Sequence, residues 1–158
     1  METWHDFFVA VAGAAAALTG LIFVGVSLSL SKIINTKLPD RASEALILLM
    51  AVLIVSCLCL APQSSTLLGT EILVLGTLAW FILLRLDLSI LHATDKEYKR
   101  HYMRMILLTQ LATLSYVISG IVTLVCGEEG AYWLIPAVVL SFGKAVLDAW
   151  VILVEIHR

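Results

Sequence analysis

Charge is scarce in this chain: only 14% of its 158 residues are Asp, Glu, Lys or Arg, against 61% that are hydrophobic, and the mean hydropathy is +1.01. Ordinary soluble domains carry about 25% charged and about 45–50% apolar residues. A water-soluble fold would have nowhere to hide this much hydrocarbon, so that class is excluded. The small net charge of −2, divided by side rather than spread over a surface, leaves a nucleic-acid partner unsupported.

Basic residues are also missing from particular places. None occurs before the first apolar run, in the connection Pro62-Gln63-Ser64-Ser65-Thr66, or in Gly127-Glu128-Glu129-Gly130. Lys32, Lys37 and Arg41 instead sit between the first and second runs, Arg85, Lys96, Lys99, Arg100 and Arg104 in or beside the connection of the third and fourth, and Arg158 at the end. Basic residues resist transfer across a bilayer, so the connections that hold them stay cytoplasmic. The alternation predicts five crossings, with the amino terminus outside and the carboxyl terminus in the cytoplasm.

A hydrocarbon core about 30 Å thick needs about 20 helical residues per crossing. Five crossings consume nearly the whole chain, at about residues 6–31, 42–61, 67–92, 101–126 and 131–156. The expected fold is all-α, a single transmembrane domain covering 1–158, and its short connections favour an up-and-down bundle. The opening Met1-Glu2-Thr3-Trp4-His5-Asp6 is acidic, and the run after it is too long for a secretory signal, so a retained first helix is expected. Pro39, followed by Asp40 and Glu44 beside unpaired amides, reads as the start of the second helix, and Gly127 as the stop of the fourth. Trp4, Phe7, Phe8, Tyr132 and Trp133 suit the outer interface.

Enzymatic signatures are absent. There is no Gly-rich phosphate loop, nucleophile elbow, haem-attachment cysteine pair or paired catalytic carboxylate, so an enzyme and a cofactor are not expected. The four histidines, His5, His92, His101 and His157, lack the i+4 spacing of a helical metal site, and no metal is expected. Cys57, Cys59 and Cys126 lie near outward ends and read as small apolar packing residues, with a disulfide as the other reading.

Two constellations remain. Gly13, Ala17, Gly20, Val24, Ser27 and Ser31 recur at steps of four and three, which places them on one stripe of the first helix. In lipid, helices associate through close packing, so such a face marks an interface. Its default partner is another span of the same chain; the sharper readings are a subunit contact or a pore lining. In the fifth helix Ser141, Lys144, Asp148 and Glu155 share a face, with Lys144 about 20 Å from the outer end at 1.5 Å per residue. A lysine or aspartate there costs about 2.5–3.5 kcal/mol unless paired. Arg85 and Asp87 in the third helix reach a similar depth but point to opposite sides, so the expected pairing is Asp87 with Lys144, or Arg85 with Asp148. Gln110 joins them from the fourth helix, beside a polar stripe of Thr109, Thr113, Tyr116, Gly120 and Thr123. The expected polar centre is therefore Arg85, Asp87, Gln110, Lys144 and Asp148.

The opening Trp4-His5-Asp6-Phe7-Phe8, followed by Ala14-Ala15-Ala16-Ala17-Leu18-Thr19-Gly20-Leu21-Ile22-Phe23-Val24-Gly25-Val26-Ser27-Leu28, resembles the start of a family of small bacterial multispan membrane proteins. Tyr132-Trp133-Leu134-Ile135-Pro136 and Ala149-Trp150-Val151-Ile152-Leu153-Val154-Glu155-Ile156 resemble its end. Some members carry a label as modulators of the membrane-anchored FtsH protease. The resemblance implies a regulatory protein with a membrane protease as partner, and it transfers no functional residues. Together these observations lead us to expect a multi-pass, homo-oligomeric interaction or regulatory protein of a bacterial cytoplasmic membrane. The alternative is an oligomeric ion channel or proton-linked conduit using the intramembrane charges.

Overall fold

The computed structural model describes residues 4–28, 38–92 and 99–156, which hold five long helices and no strand. They are α1 (His5–Leu28), α2 (Leu38–Leu60), α3 (Ser65–His92), α4 (Lys99–Cys126) and α5 (Leu134–Ile156), with a 3-10 segment (Gly127–Trp133) between the last two. Four stretches are long and apolar enough to cross a membrane: His5–Leu28, Pro39–Leu60, Ser65–His92 and the 51-residue Tyr102–Ile152. The last of these contains α4, the 3-10 segment and α5. The chain thus has the form of a multi-pass membrane protein.

Local chemistry sets the ends. Pro39 occupies the first turn of α2, where its missing N–H costs no hydrogen bond, and Pro62 follows the last turn. Ser64 caps α3, its Oγ accepting from the Leu67 amide at 3.3 Å. Gly127 ends α4 with a φ of 69°, a conformation that glycine adopts without a Cβ clash. Within the helices the hydroxyls of Thr19, Thr70, Thr113 and Thr123 donate to the carbonyl one turn back, at 2.7–2.9 Å, as expected for polar side chains with no water to meet.

Helices α2, α3, α4 and α5 form a ring in which each packs on the next and α5 returns to α2. Leu48 of α2, Leu83 of α3 and Ala112 of α4 meet in its interior. Glycine brings α3 and α4 unusually close: a Cβ on Gly120 would lie 2.7 Å from the Leu73 amide nitrogen, and one on Gly69 would lie 2.9 Å from that of Leu124. At the end of the α4–α5 hairpin, Ser119 Oγ donates to Gly130 O at 2.8 Å.

Helix α1 lies outside this ring, against α2 and the edge of α5. Phe8, Val11 and Ala15 pack with Val52, Val55 and Cys59, while Leu18 and Ile22 pack with Ala45, Leu49 and Ala145. Trp4 completes the contact, its ring edge-on to Tyr132 with centroids 5.0 Å apart. Large apolar side chains such as Leu21, Leu28 and Val125 point away from the protein, where lipid would solvate them. The three cysteines are free, Cys59 buried and the other two exposed.

Candidate functional site

The buried ionisable residues Glu44, Asp87, Lys144 and Asp148 gather toward the end of the bundle marked by Arg41, His92 and Lys99. Lys144 of α5 is at their centre. Its Nζ donates to Glu44 Oε2 of α2 at 2.9 Å and to Asp148 Oδ2 one turn along α5. Side-chain exposure of these three groups is only 1–4%, so the ions are shielded from both lipid and water. At that burial an unpaired ion would be costly, whereas close geometry with extra hydrogen bonds offsets much of the desolvation.

The extra hydrogen bonds come from the neighbouring helices. Tyr102 of α4 donates from its OH to Glu44 Oε1 at 3.4 Å, and the Arg41 guanidinium stands 5.6 Å from the centre of the Tyr102 ring. Asp87 of α3 accepts from Gln110 Nε2 at 3.0 Å, and Gln110 Oε1 accepts from Trp80 Nε1 at 2.7 Å. The centre therefore joins all four helices of the ring. Above it Tyr116 OH and Ser141 Oγ form a buried hydrogen bond of 3.1 Å between α4 and α5.

Four of the five residues expected in the polar centre meet there: Asp87, Gln110, Lys144 and Asp148. Arg85 does not. It is exposed on the outer face of α3, since the two-residue step from Asp87 turns a helix by about 200°. The pairing of Arg85 with Asp148 is corrected accordingly. The direct partner of Lys144 from another helix is Glu44 rather than Asp87, which takes the neutral Gln110 amide instead.

Glu44 was expected to sit beside helix-start amides; it is instead 1% exposed inside the bundle. The sequence did contain a signal for this. Glu44 continues the stripe of Leu48, Val52, Val55 and Cys59, all buried and separated by steps of three or four. Glu71, at the opposite end of α3, is half-buried and accepts from Gln63 Nε2 at 2.9 Å.

The small-residue stripe of α1 also departs from its default reading. Gly13, Ala17, Gly20 and Ser27 are exposed, and a Cβ added at Gly13 or Gly20 would meet nothing within 4 Å. At 100° per residue the stripe points about 180° away from the packed face formed by Phe8, Val11, Ala15, Leu18 and Ile22. The helix uses its large side chains within the chain and turns its small ones outward. Ser31 and His157 lie outside the described residues, as do the side chains of His101 and Glu155.

No family model, curated protein or solved structure matches the chain.

Proposed function

We propose that this chain is a five-crossing protein of a bacterial cytoplasmic membrane, amino terminus outside, acting as a self-associating interaction or regulatory protein. The observation that carries this reading is the outward small-residue face of α1. Lipid tails gain little from such a face, whereas another helix of the same kind gains close backbone contact. The partner we name is a second copy. Two copies inserted in one membrane are parallel, so a two-fold axis along the membrane normal brings Gly13, Ala17 and Gly20 opposite themselves.

Single cysteines at positions 17 and 20, in a chain whose native cysteines are replaced by serine, test this reading in native membranes. Disulfide-linked dimers at these positions, with none from Val139→Cys on the exposed face of α5, are the expected result. Failure to crosslink at every stripe position overturns it. Crosslinking instead to the membrane protease suggested by the terminal motifs would make the chain a heteromeric regulator.

A second reading, an ion channel or proton-linked conduit, is favoured by four ionisable groups within the spans, Glu44, Asp87, Lys144 and Asp148. Flux in proteoliposomes that Lys144→Met and Asp148→Asn alter would establish it; absence of flux over a range of pH and potential would remove it.

A further inference from the structure

We propose that the exposed face of α3 around Arg85 seats one anionic phospholipid of the cytoplasmic leaflet, its phosphate on the Arg85 guanidinium and its acyl chains along Ile82, Phe81, Leu78 and Val74. This rests on the five-crossing reading, in which the His92 end of α3 meets the cytoplasm. Arg85 is exposed, and among the described residues no hydrogen bond, ion pair or aromatic ring engages it. An arginine keeps its charge in any protein environment. A guanidinium on a face turned to lipid therefore draws its counter-ion from outside the chain.

Depth decides where that anion comes from. Helix α3 has 28 residues, so at 1.5 Å per residue it is about 42 Å long, against about 30 Å of hydrocarbon. With the helix centred in the bilayer, Arg85 starts about 10 Å from the midplane and about 5 Å inside the hydrocarbon boundary. Its stem spans that gap by snorkelling, but side chains tilt toward the N-terminus of a helix, here the end away from the nearer surface. The headgroup is accordingly drawn down to the guanidinium, which favours one retained lipid over passing contact.

The rest of the face suits a lipid. Val74, Leu78, Phe81, Ile82 and Leu88 are exposed and follow Arg85 and His92 at steps of three or four. At the helix end His92 Nδ1 bonds Leu88 O at 2.8 Å, which leaves Nε2 open at the level of the headgroup. The stripe holds no carboxylate: Asp87 is buried, and Glu71 is at the other end of α3, bonded to Gln63. A second copy meeting this face about a two-fold axis along the membrane normal would set Arg85 against Arg85. Charge complementarity thus selects an anionic lipid.

Native mass spectrometry tests this, with the full chain released from detergent after addition of phosphatidylglycerol or of phosphatidylcholine with the same acyl chains. One phosphatidylglycerol retained in preference to phosphatidylcholine is expected. In Arg85→Gln its affinity should fall about five-fold, the contribution of one basic residue near an anionic lipid surface. Arg104→Gln removes the same charge from the exposed side of α4 and is expected to keep the preference. No preference in the unaltered chain, an unchanged preference in Arg85→Gln, or an equal loss in both variants overturns the proposal. A dimer mass that disappears in Arg85→Gln would assign the face to a second copy and overturn it as well. The α1 crosslinks report on a different helix, so their failure and the failure of the lipid count are distinguishable.

Discussion

Lys144 on α5 reaches Glu44 on α2 across a separation of 100 positions, and their 2.9 Å contact is the direct ionic link between the last helix and the second. Both side chains are nearly inaccessible, so each depends on the other for its charge to be tolerated. Removing one partner of such a pair leaves the other as a buried, uncompensated ion.

Lys144→Met is therefore expected to destabilise the chain by about 3–5 kcal/mol, the usual cost of breaking a buried pair. Unfolding in mixed micelles measures it. Adding Glu44→Gln and Asp148→Asn should recover part of the loss, because the three groups act as a unit and their effects do not add. A Lys144→Met chain as stable as the unaltered one would show that the pair contributes nothing.

The glycines separate into two classes with opposite expected outcomes. Gly120→Ala puts a methyl group 2.7 Å from the Leu73 backbone nitrogen and should cost about 1–3 kcal/mol as α3 and α4 are forced apart. Gly143→Ala, with nothing within 4 Å, should be neutral or stabilising by up to about 1 kcal/mol through helix propensity. The same unfolding experiment ranks them.

Gln110 bridges Trp80 and Asp87, and Gln110→Leu would leave a part-buried indole N–H and a buried carboxyl group without this partner. A loss of about 1–3 kcal/mol is expected. Combining it with Trp80→Phe should cost less than the sum of the separate changes, since the orphaned donor is then gone.

Arg85 and Asp87 should respond differently despite their proximity in sequence. Arg85→Gln, on the outer face of α3, is expected to leave the melting temperature unchanged, whereas Asp87→Ala removes a buried hydrogen-bonded group and lowers it. Equal effects would place Arg85 in the bundle interior.

Side-specific labelling checks the orientation. Ser64→Cys should react with an impermeant maleimide added outside intact cells, and Lys96→Cys only after the membrane is opened. Reaction of both from the same side would remove the five-crossing topology.

The helices were legible because long apolar runs and their punctuation are local properties. Expected and observed boundaries differ by only a few residues, except where Gly127–Trp133 tightens into a 3-10 segment before α5 begins. Helix neighbours were harder to read. Periodicity places Gly13, Ala17 and Gly20 on one face without saying whether that face turns inward or outward, and here it turns outward. The same limit hid the role of Glu44. A carboxylate near a helix start ordinarily favours the amide ends, and only the arrival of Lys144 from far along the sequence draws it into the interior. Gly69 and Gly76 were not distinguished from other membrane-helix glycines, because the closeness of α4 is a property of the pair and not of either helix.

The seat of α1 carries a consequence for how the protein is made. Its flank leans on Ala145 and Ile152 of α5 as well as on α2, and its Trp4 ring rests against Tyr132. Helix α1 thus finds its complete resting place only when α5, more than 100 positions later, has been inserted. A nascent chain halted before α5 would hold α1 by α2 alone, with an unfinished groove where Ala145 and Ile152 belong.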